Sequence, residues 1–430
     1  MSREIRITVN ENEYTVPVYT SVEDVLVKAG LLPQGFSTTK IEYNDNPIVG
    51  AMVNGQLRPI SSHIQMSCEV KPIRAFESFG RRIYRHSICL LLCCATKLVF
   101  PKRHLVIGHA LGDGFYFSFD DEYNTTEEQI SILADKMRYL ADSCIPIEYT
   151  ALSNQEAVEY FNKEGYGATA QLIESQNEPF VNAYRIQNYC NIAYEPIVPN
   201  TSVLSVWELK KYGNCGMLLR YPVAGNITAV VEMRDNSTMF KVYEENKRWG
   251  RFLGVGCVGQ LNERCSENTV AEYVRLSETL QRRKLSQIAD EIDAGGKKAV
   301  FVAGPSSSGK TTFAKRLCEQ LRLMDHAPIR ISLDDYYKQR QFAPLDEDGK
   351  PDLEALEALD IDMFDRNMKD LFAGKEGDLP HFSFPKNATY YENKPIRLTD
   401  KTIFVIEGLH GLNPRITSKV EEKYAYKIYI

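Results

Sequence analysis

Long apolar runs are missing from this sequence of 430 residues. The longest, Ile88 to Ala95, falls far short of the ~20 residues a helix needs to cross a bilayer, which excludes a helical membrane span and marks the run as a buried helix. A secretory leader is missing too. Met1 to Asn10 alternates apolar and polar residues like a strand, with no apolar run or small-residue cleavage site, so secretion is not expected. Regular cysteine spacing is absent: ten scattered cysteines point to reduced thiols and a cytoplasmic location. Cys89, Cys93 and Cys94 form the one tight group. Cys89 and Cys93 share a helix face, as a metal pair does, yet thiols inside a leucine-rich helix pack as small hydrophobes. Positive charge is also short, with 51 Lys and Arg against 57 Asp and Glu and a net charge of −6. Coating nucleic acid through phosphate attraction alone is thereby excluded. One stretch departs from the balance. From Lys71 to His104, eight basic residues face the single acid Glu77, a local +7; it reads first as a solvated helix face and second as a surface for an anionic partner such as RNA. No internal repeat or low-complexity segment is evident.

What is present is the composition of a globular protein, 43% hydrophobic and 25% charged. At ~100 to 200 residues per domain the length implies several domains, and three are expected: 1–72, 73–265 and 266–430. The first alternates as strands at Ile5, Ile7, Val9 and Tyr14, Val16, Val18, with a helix from Ser21 to Ala29 and strands at Ala51–Val53 and Ile64–Val70. Ser21 is the expected N-cap, with Asp24 three positions on, and Gly30 the stop. Strands flanking one helix in ~70 residues suggest a β-grasp module. The order "IRITVNENEYTVPVYTSVEDVL…MVNGQLRPISSHI" resembles the TGS domain at the front of threonyl-tRNA synthetases.

From Phe76 the period becomes helical, with Phe79, Ile83, Leu90, Leu91 and Cys94 on one face and Arg81, Arg82 and Arg85 on another. A hairpin follows, turning at Gly112-Asp113-Gly114. The segment "RHSICLLLCCATKLVFPKRHLVIGHALGDGFYFSFD" resembles the second, editing domain of threonyl-tRNA synthetases, which carries an H-x-x-x-H pair and a later C-x-x-x-H pair. Imidazoles four apart leave one helix face together. Here His86 holds the first position but Leu90 the second, and Cys215 is followed four residues on by Leu219. Leucine neither ligates metal nor moves protons. The resemblance therefore implies an inactive, binding-only α+β module. Thr269 to Ile292 reads as a charged amphipathic helix, with Val270, Tyr273, Val274, Leu280, Leu285, Ile288 and Ile292 at helical spacing and Gly295-Gly296 at its end.

The chemistry-bearing signal lies beyond it. "KKAVFVAGPSSSGKTTFAKRL" holds G-x-x-x-x-G-K-T as Gly304, Gly309, Lys310 and Thr311, after an apolar strand (Ala299–Ala303) and before a helix with Phe313, Leu317, Leu321 and Met324 on one face. Glycines allow backbone N–H groups to turn inward on phosphates at the positive helix end, so Gly304, Ser306, Ser307, Ser308, Gly309, Lys310, Thr311 and Thr312 are the expected ATP-binding loop. Lys310 is expected at the β and γ phosphates and Thr311 at Mg²⁺. A second strand, Ile329–Leu333, ends in Asp334-Asp335-Tyr336-Tyr337. Polar residues just past such a strand face the ligand crevice of an open parallel sheet, and a carboxylate there suits a base, although a helix cap is the commoner role for an isolated Asp. A third strand, Thr402–Ile406, delivers Glu407, placed to hold Mg²⁺, and Gly408 for a sharp turn.

Together "GPSSSGKTTFAKRL", "ISLDDYYK" and "IFVIEGLHGL" resemble the uridine kinase and phosphoribulokinase family over Lys297 to Ile430. The resemblance implies an α/β P-loop kinase domain with a parallel sheet, Asp334 as general base, and an acceptor alcohol between Asp334 and the γ-phosphate. In its substrate-side segments, "PDLEALEALDIDMFD" and "LPHFSFPKNATYY", Asp352 is expected on a sugar hydroxyl and Phe382 or Phe384 against a base, these aromatics reading equally well as core; Tyr337 is a further expected substrate-binding residue. The family also has an arginine-rich lid and a further strand after the one that "YAYKIYI" begins, so the sequence reads as part of a longer protein, poorly active in the 430-residue form. Three functions stand open: an ATP- and Mg²⁺-dependent kinase of a nucleoside-like primary alcohol, a kinase of another alcohol such as a phosphorylated sugar or pantothenate, and an RNA- or ribosome-associated nucleotide switch. Nothing in the sequence sets the oligomeric state.

Overall fold

The computed structural model describes residues 3–112, 114–120, 124–233, 237–267, 269–346 and 348–430. The chain divides into two compact units, one ending at Val270 and one running from Ala271 to Ile430.

The first unit begins with a hairpin of β1 (Glu4–Val9) and β2 (Asn12–Pro17), then α1 (Val22–Lys28), β3 (Ile48–Val53), β4 (Gln56–Arg58) and β5 (Cys68–Arg74). These strands form one sheet in the order β2-β1-β5-β3-β4. Central β1 and β5 are parallel and the other neighbours antiparallel, which is the β-grasp arrangement. The local chemistry of α1 is as expected: Ser21 Oγ accepts the Asp24 N–H at 3.0 Å, and Gly30 takes φ 73° just past the end, a conformation that favours glycine. The strand expected from Ile64 starts only at Cys68. Ile64 instead bonds the turn before α1, giving its carbonyl to Tyr19 N at 2.8 Å and its N–H to Thr20 O at 2.9 Å.

Next comes α2 (Ser78–Val99), buried on all sides from Ser87 to Thr96. Phe79, expected on the buried face, is 40% exposed under the Arg82 guanidinium, because the first turn of α2 lies at the surface. Around this helix are β6 (Leu105–Leu111), β7 (Gly114–Phe119), α3 (Glu127–Asp142), β8 (Glu148–Ser153), α4 (Asn154–Lys163), α5 (Gly167–Gln176), β9 (Phe180–Ile186), β10 (Tyr189–Ile192), β11 (Glu208–Tyr212), β12 (Gly216–Arg220), α6 (Ser237–Phe252) and α7 (Val258–Ser266). Two sheets result, β11-β12-β7-β6 and β10-β9-β8. Of the expected hairpin turn, Asp113 lies outside the described residues, and β6 and β7 pair antiparallel on either side. A single hydrophobic core runs from Ile5 to Tyr221. It crosses the position expected to separate 1–72 from 73–265, and polar ties cross with it: Asn200 Nδ2 donates to Ser37 O at 2.9 Å, and Ser202 Oγ accepts the Ile41 N–H at 2.8 Å.

The second unit opens with α8 (Val270–Ala294), which buries Leu285, Ala289 and Ile292 but leaves Val274 and Leu276 exposed, so only its C-terminal half is core. Then follow β13 (Ala299–Ala303), α9 (Lys310–Leu323), β14 (Ala327–Ser332), α10 (Ile361–Phe372), the hairpin β15 (Pro380–Ser383) and β16 (Ala388–Tyr391), β17 (Thr402–Glu407) and β18 (Ala425–Tyr429). Four strands make a parallel sheet in the order β14-β17-β13-β18. Alternate residues of β13 go to opposite faces: Val300 and Val302 pack with Leu317 and Leu321 of α9, and Phe301 with Phe364 and Met368 of α10. The register sets Val302 and Ser332 level with Glu407, which aligns the carboxyl ends of three strands.

Candidate active site

The loop between β13 and α9 is built on positions where a side chain does not fit. A Cβ on Gly304 would stand 2.5 Å from the Ile430 carbonyl oxygen and 2.8 Å from Ser308 Oγ. Ser307 (φ 60°) and Gly309 (φ 95°) are left-handed, which wraps the backbone around a concavity before Gly309 caps α9. No side chain caps that helix, so its first N–H groups and positive end face the loop. Ser308 Oγ is buried with no hydrogen-bond partner, an uncompensated donor at an anion-suited position. Lys310 Nζ bonds the Pro305 carbonyl at 2.7 Å, folding the lysine over the same loop. Ser306 and Thr312 are exposed at its rim. A cavity of roughly 600 Å³ adjoins it, lined by Ser308, Gly309, Thr312 and Arg316 and by Gln281 and Arg282 of α8. Those two α8 residues carry no sequence signal, being outside any motif.

At the end of β17, Glu407 is 2% exposed. Its Oε1 accepts the Thr311 hydroxyl at 2.9 Å, which directs the remaining Thr311 lone pairs away from the acid and leaves them available to a cation. The same oxygen receives Arg330 Nη1 at 3.3 Å. Arg330 was not among the expected residues; the signal for it is a lone arginine between Ile329 and Ile331 in a strand otherwise suited to burial. Asp334 lies just past β14, in a short 3₁₀ turn (Leu333–Tyr336). Partial desolvation, followed by the charge of Glu407, pushes its carboxyl above the usual range while Lys310 pulls the other way, although the residue as a whole stays exposed. Lys310, Thr311, Glu407 and Asp334 therefore converge at the carboxyl ends of three parallel strands. A concave anion-seeking loop, an unpartnered hydroxyl and a hydroxyl–carboxylate pair fit a nucleotide phosphate chain with a hard cation.

On the far side of Asp334, Tyr337 sits 5.3 Å from Phe384 and 6.2 Å from Phe382, ring to ring. Phe384 is 44% exposed, and neither phenylalanine belongs to the buried cores of this unit. Burial, then the negative charge of Asp334, raises the Tyr337 phenol. Asp352 Oδ1 accepts the N–H groups of Glu354 at 2.9 Å and Ala355 at 3.1 Å, so one oxygen already organises its own turn. Asp335, also not anticipated, joins this wall to the turn that carries Asp334: Oδ1 accepts Phe382 N–H at 3.2 Å and Oδ2 lies 3.4 Å from His381 Nδ1.

The expected ligand positions of the first unit have other surroundings. Leu90 and Leu219 are core. His86 is half-buried and its imidazole is pushed down by burial and then by Arg85, whereas the Cys215 thiol lies 3.8 Å from Asn124 Oδ1. Among the described residues no group of three or more His, Cys, Asp or Glu side chains is placed to hold a metal, and no helix is long and apolar enough to cross a membrane.

Residues 299–430 match the model of the Phosphoribulokinase / Uridine kinase family. The N-terminal region is similar to threonine–tRNA ligases: that of Francisella tularensis subsp. novicida (strain U112) is 31% identical over 163 residues, 38% of this chain and 26% of the ligase. That of subsp. tularensis (strain FSC 198) is 30% identical over the same span and shares. The chain thus covers about a quarter of the length of these curated relatives. Among solved structures, the "Possible Uridine Kinase" of Bacillus stearothermophilus is similar at TM-score 0.29 and 20% identity, over 35% of this chain and 80% of that one. D-glycerate 3-kinase from Cryptococcus neoformans var. grubii serotype A gives TM-score 0.23 and 17% identity over 30% and 52%.

Proposed function

We propose, from the premise that residues 299–430 belong to the Phosphoribulokinase / Uridine kinase family, that this unit transfers the γ-phosphoryl group of ATP to a primary hydroxyl of a small alcohol, foremost a nucleoside of the uridine kind. The observation that carries the reading is the convergence of Lys310, Thr311 and Glu407 with a carboxyl, Asp334, whose affinity for protons is raised. The acceptor hydroxyl loses its proton to Asp334 as its oxygen bonds to phosphorus, and the bond from phosphorus to the β–γ bridging oxygen breaks to release ADP. A raised carboxyl is a stronger base than an ordinary one once ionised, which suits this task. Thr311 and Glu407 are the residues that would hold Mg²⁺, and that ion neutralises charge on the phosphate oxygens when bound. Tyr337, Phe382, Phe384 and the free oxygen of Asp352 form the acceptor side, aromatic faces for a base and a carboxylate for a sugar hydroxyl.

Residues 1–72 are read as a TGS-like part and 73–265 as an editing-like part that binds without hydrolysing, both preceding a kinase part from 266. The alternative of an RNA-bound switch drew on the basic stretch 71–104. Four of its eight charges have internal partners: Lys71 with Glu69, Arg82 with Glu195, Lys97 with Glu164, and Arg103 over the Phe119 ring. No observation favours that alternative.

The test is ADP release by the full-length protein with uridine, cytidine, a phosphorylated sugar and pantothenate as acceptors, beside Lys310→Ala. At least one acceptor should stimulate release, and the variant should lose ATP binding or turnover while folding normally. Unchanged affinity and turnover in Lys310→Ala sinks the reading.

A further inference from the structure

A carboxylate as deep as Glu407, 2% exposed, demands partners. It has two, Thr311 and Arg330, and both use Oε1. Arg330 comes from the interior of β14, and the parallel register of β14 with β17, Arg330 opposite Val405 and Ser332 opposite Glu407, brings its side chain to the acid along the strand direction. The guanidinium remains 36% exposed, so it reaches the acid from the edge of the sheet. Lys310 is bonded to Pro305 instead, leaving Arg330 as the cation on Glu407.

We infer that Arg330 is a built-in counter-cation for Glu407 that competes with magnesium and thereby narrows the metal dependence of nucleotide binding; the inference rests on the nucleotide-binding reading above. Its charge acts with opposite sign in the two conditions. Without metal it offsets the repulsion between Glu407 and the phosphates of a bound nucleotide, so it favours binding. With magnesium it repels the ion held beside the same carboxylate, so it opposes binding. A packing role has no such reversal: its loss weakens both conditions alike. Arg330 is thus a positioning residue that acts through Glu407.

Calorimetric titration of ADP into the full-length protein, once in excess Mg²⁺ and once in EDTA, reads both signs. Arg330→Gln keeps a donor for Oε1 and removes the charge. It is expected to bind ADP roughly tenfold more tightly in Mg²⁺ and several-fold more weakly in EDTA, while Arg330→Lys keeps the wild-type order. A thermal melt of each free variant checks folding, and Arg330→Met repeats the charge removal without the donor. Affinities that fall together in both media, or stay unchanged in both, overturn the inference while leaving the kinase reading intact. If the wild-type protein binds ADP in neither medium, the nucleotide reading itself fails and takes the inference with it.

Discussion

Two groups of reactive side chains in this chain differ in one respect, the direction in which their polar atoms face. Around α2, Cys93 and Cys94 are enclosed in the core, and burial pushes each thiol up to about 12. These thiols stay neutral, so they act as packing. Around the loop that follows β13, packing is one-sided. Asp334 is partly desolvated yet exposed, Ser308 Oγ has no partner, and the helix end carries no side-chain cap. Burial from all sides silences a group, whereas burial from one side raises its energy and leaves that energy available to a ligand.

The largest effect that tests this contrast is on Asp334. Asp334→Asn keeps shape and hydrogen bonding but cannot take a proton, so turnover should fall by ~10²-fold or more with nearly normal ATP affinity; a mutant with wild-type turnover removes Asp334 as the base. The pH dependence has a definite sign. In the wild type, activity should fall as the medium is acidified through a point above the ordinary aspartate value of 3.8. The same raised carboxyl costs stability once ionised, so Asp334→Asn should melt slightly higher at neutral pH, and the advantage should vanish in acid.

Leu90 sharpens the other half of the contrast. At 5% exposure, Leu90→Ala should cost ~2 to 5 kcal/mol in chemical denaturation, the cost of a core cavity. The purified wild-type protein should carry no stoichiometric zinc by metal analysis; one tightly held ion per chain would show that the first unit is a metal site after all. A smaller loss is expected for Gly304→Ala, where the new methyl meets backbone at 2.5 Å: about 1 to 3 kcal/mol of stability, with roughly tenfold weaker ADP binding by calorimetry. Smallest is Ser308→Ala. Deleting a buried, unpartnered hydroxyl should leave stability unchanged or raise it by up to about 1 kcal/mol, while ADP binding weakens a few-fold. A clear loss of stability instead would mean that the hydroxyl is already satisfied.

Much of the fold was legible because its signals are local. The Ser21 cap, the Gly30 stop, the apolar run of β13 and the glycine spacing of the loop each depend on residues a few positions apart. The misplaced elements are those whose partners are distant. The strand expected at Ile64 was displaced to Cys68 by bonds to the turn at Tyr19 and Thr20, and Phe79 was turned outward although its helical spacing matched the core face. The candidate site divides the same way. The loop, Asp334 and Glu407 follow from motif order, whereas Arg330, Asp335 and the α8 residues Gln281 and Arg282 enter only through strand register and helix packing.

By itself the sequence determined a glycine-rich loop between a strand and a helix, a carboxylate after each of two further strands, and leucines at two of the positions expected for ligands, because steric permission, charge and ligating capacity belong to residue types. Tertiary structure alone decided that Glu407 is held by Thr311 and Arg330 at once, that Asp334 is partly desolvated, that Arg82, Lys97 and Lys71 of the basic stretch meet Glu195, Glu164 and Glu69, and that one core joins residues 5 to 221. The energy of a charge depends on what surrounds it, and those surroundings are assembled from segments up to more than a hundred residues apart in the chain, as with Arg82 and Glu195.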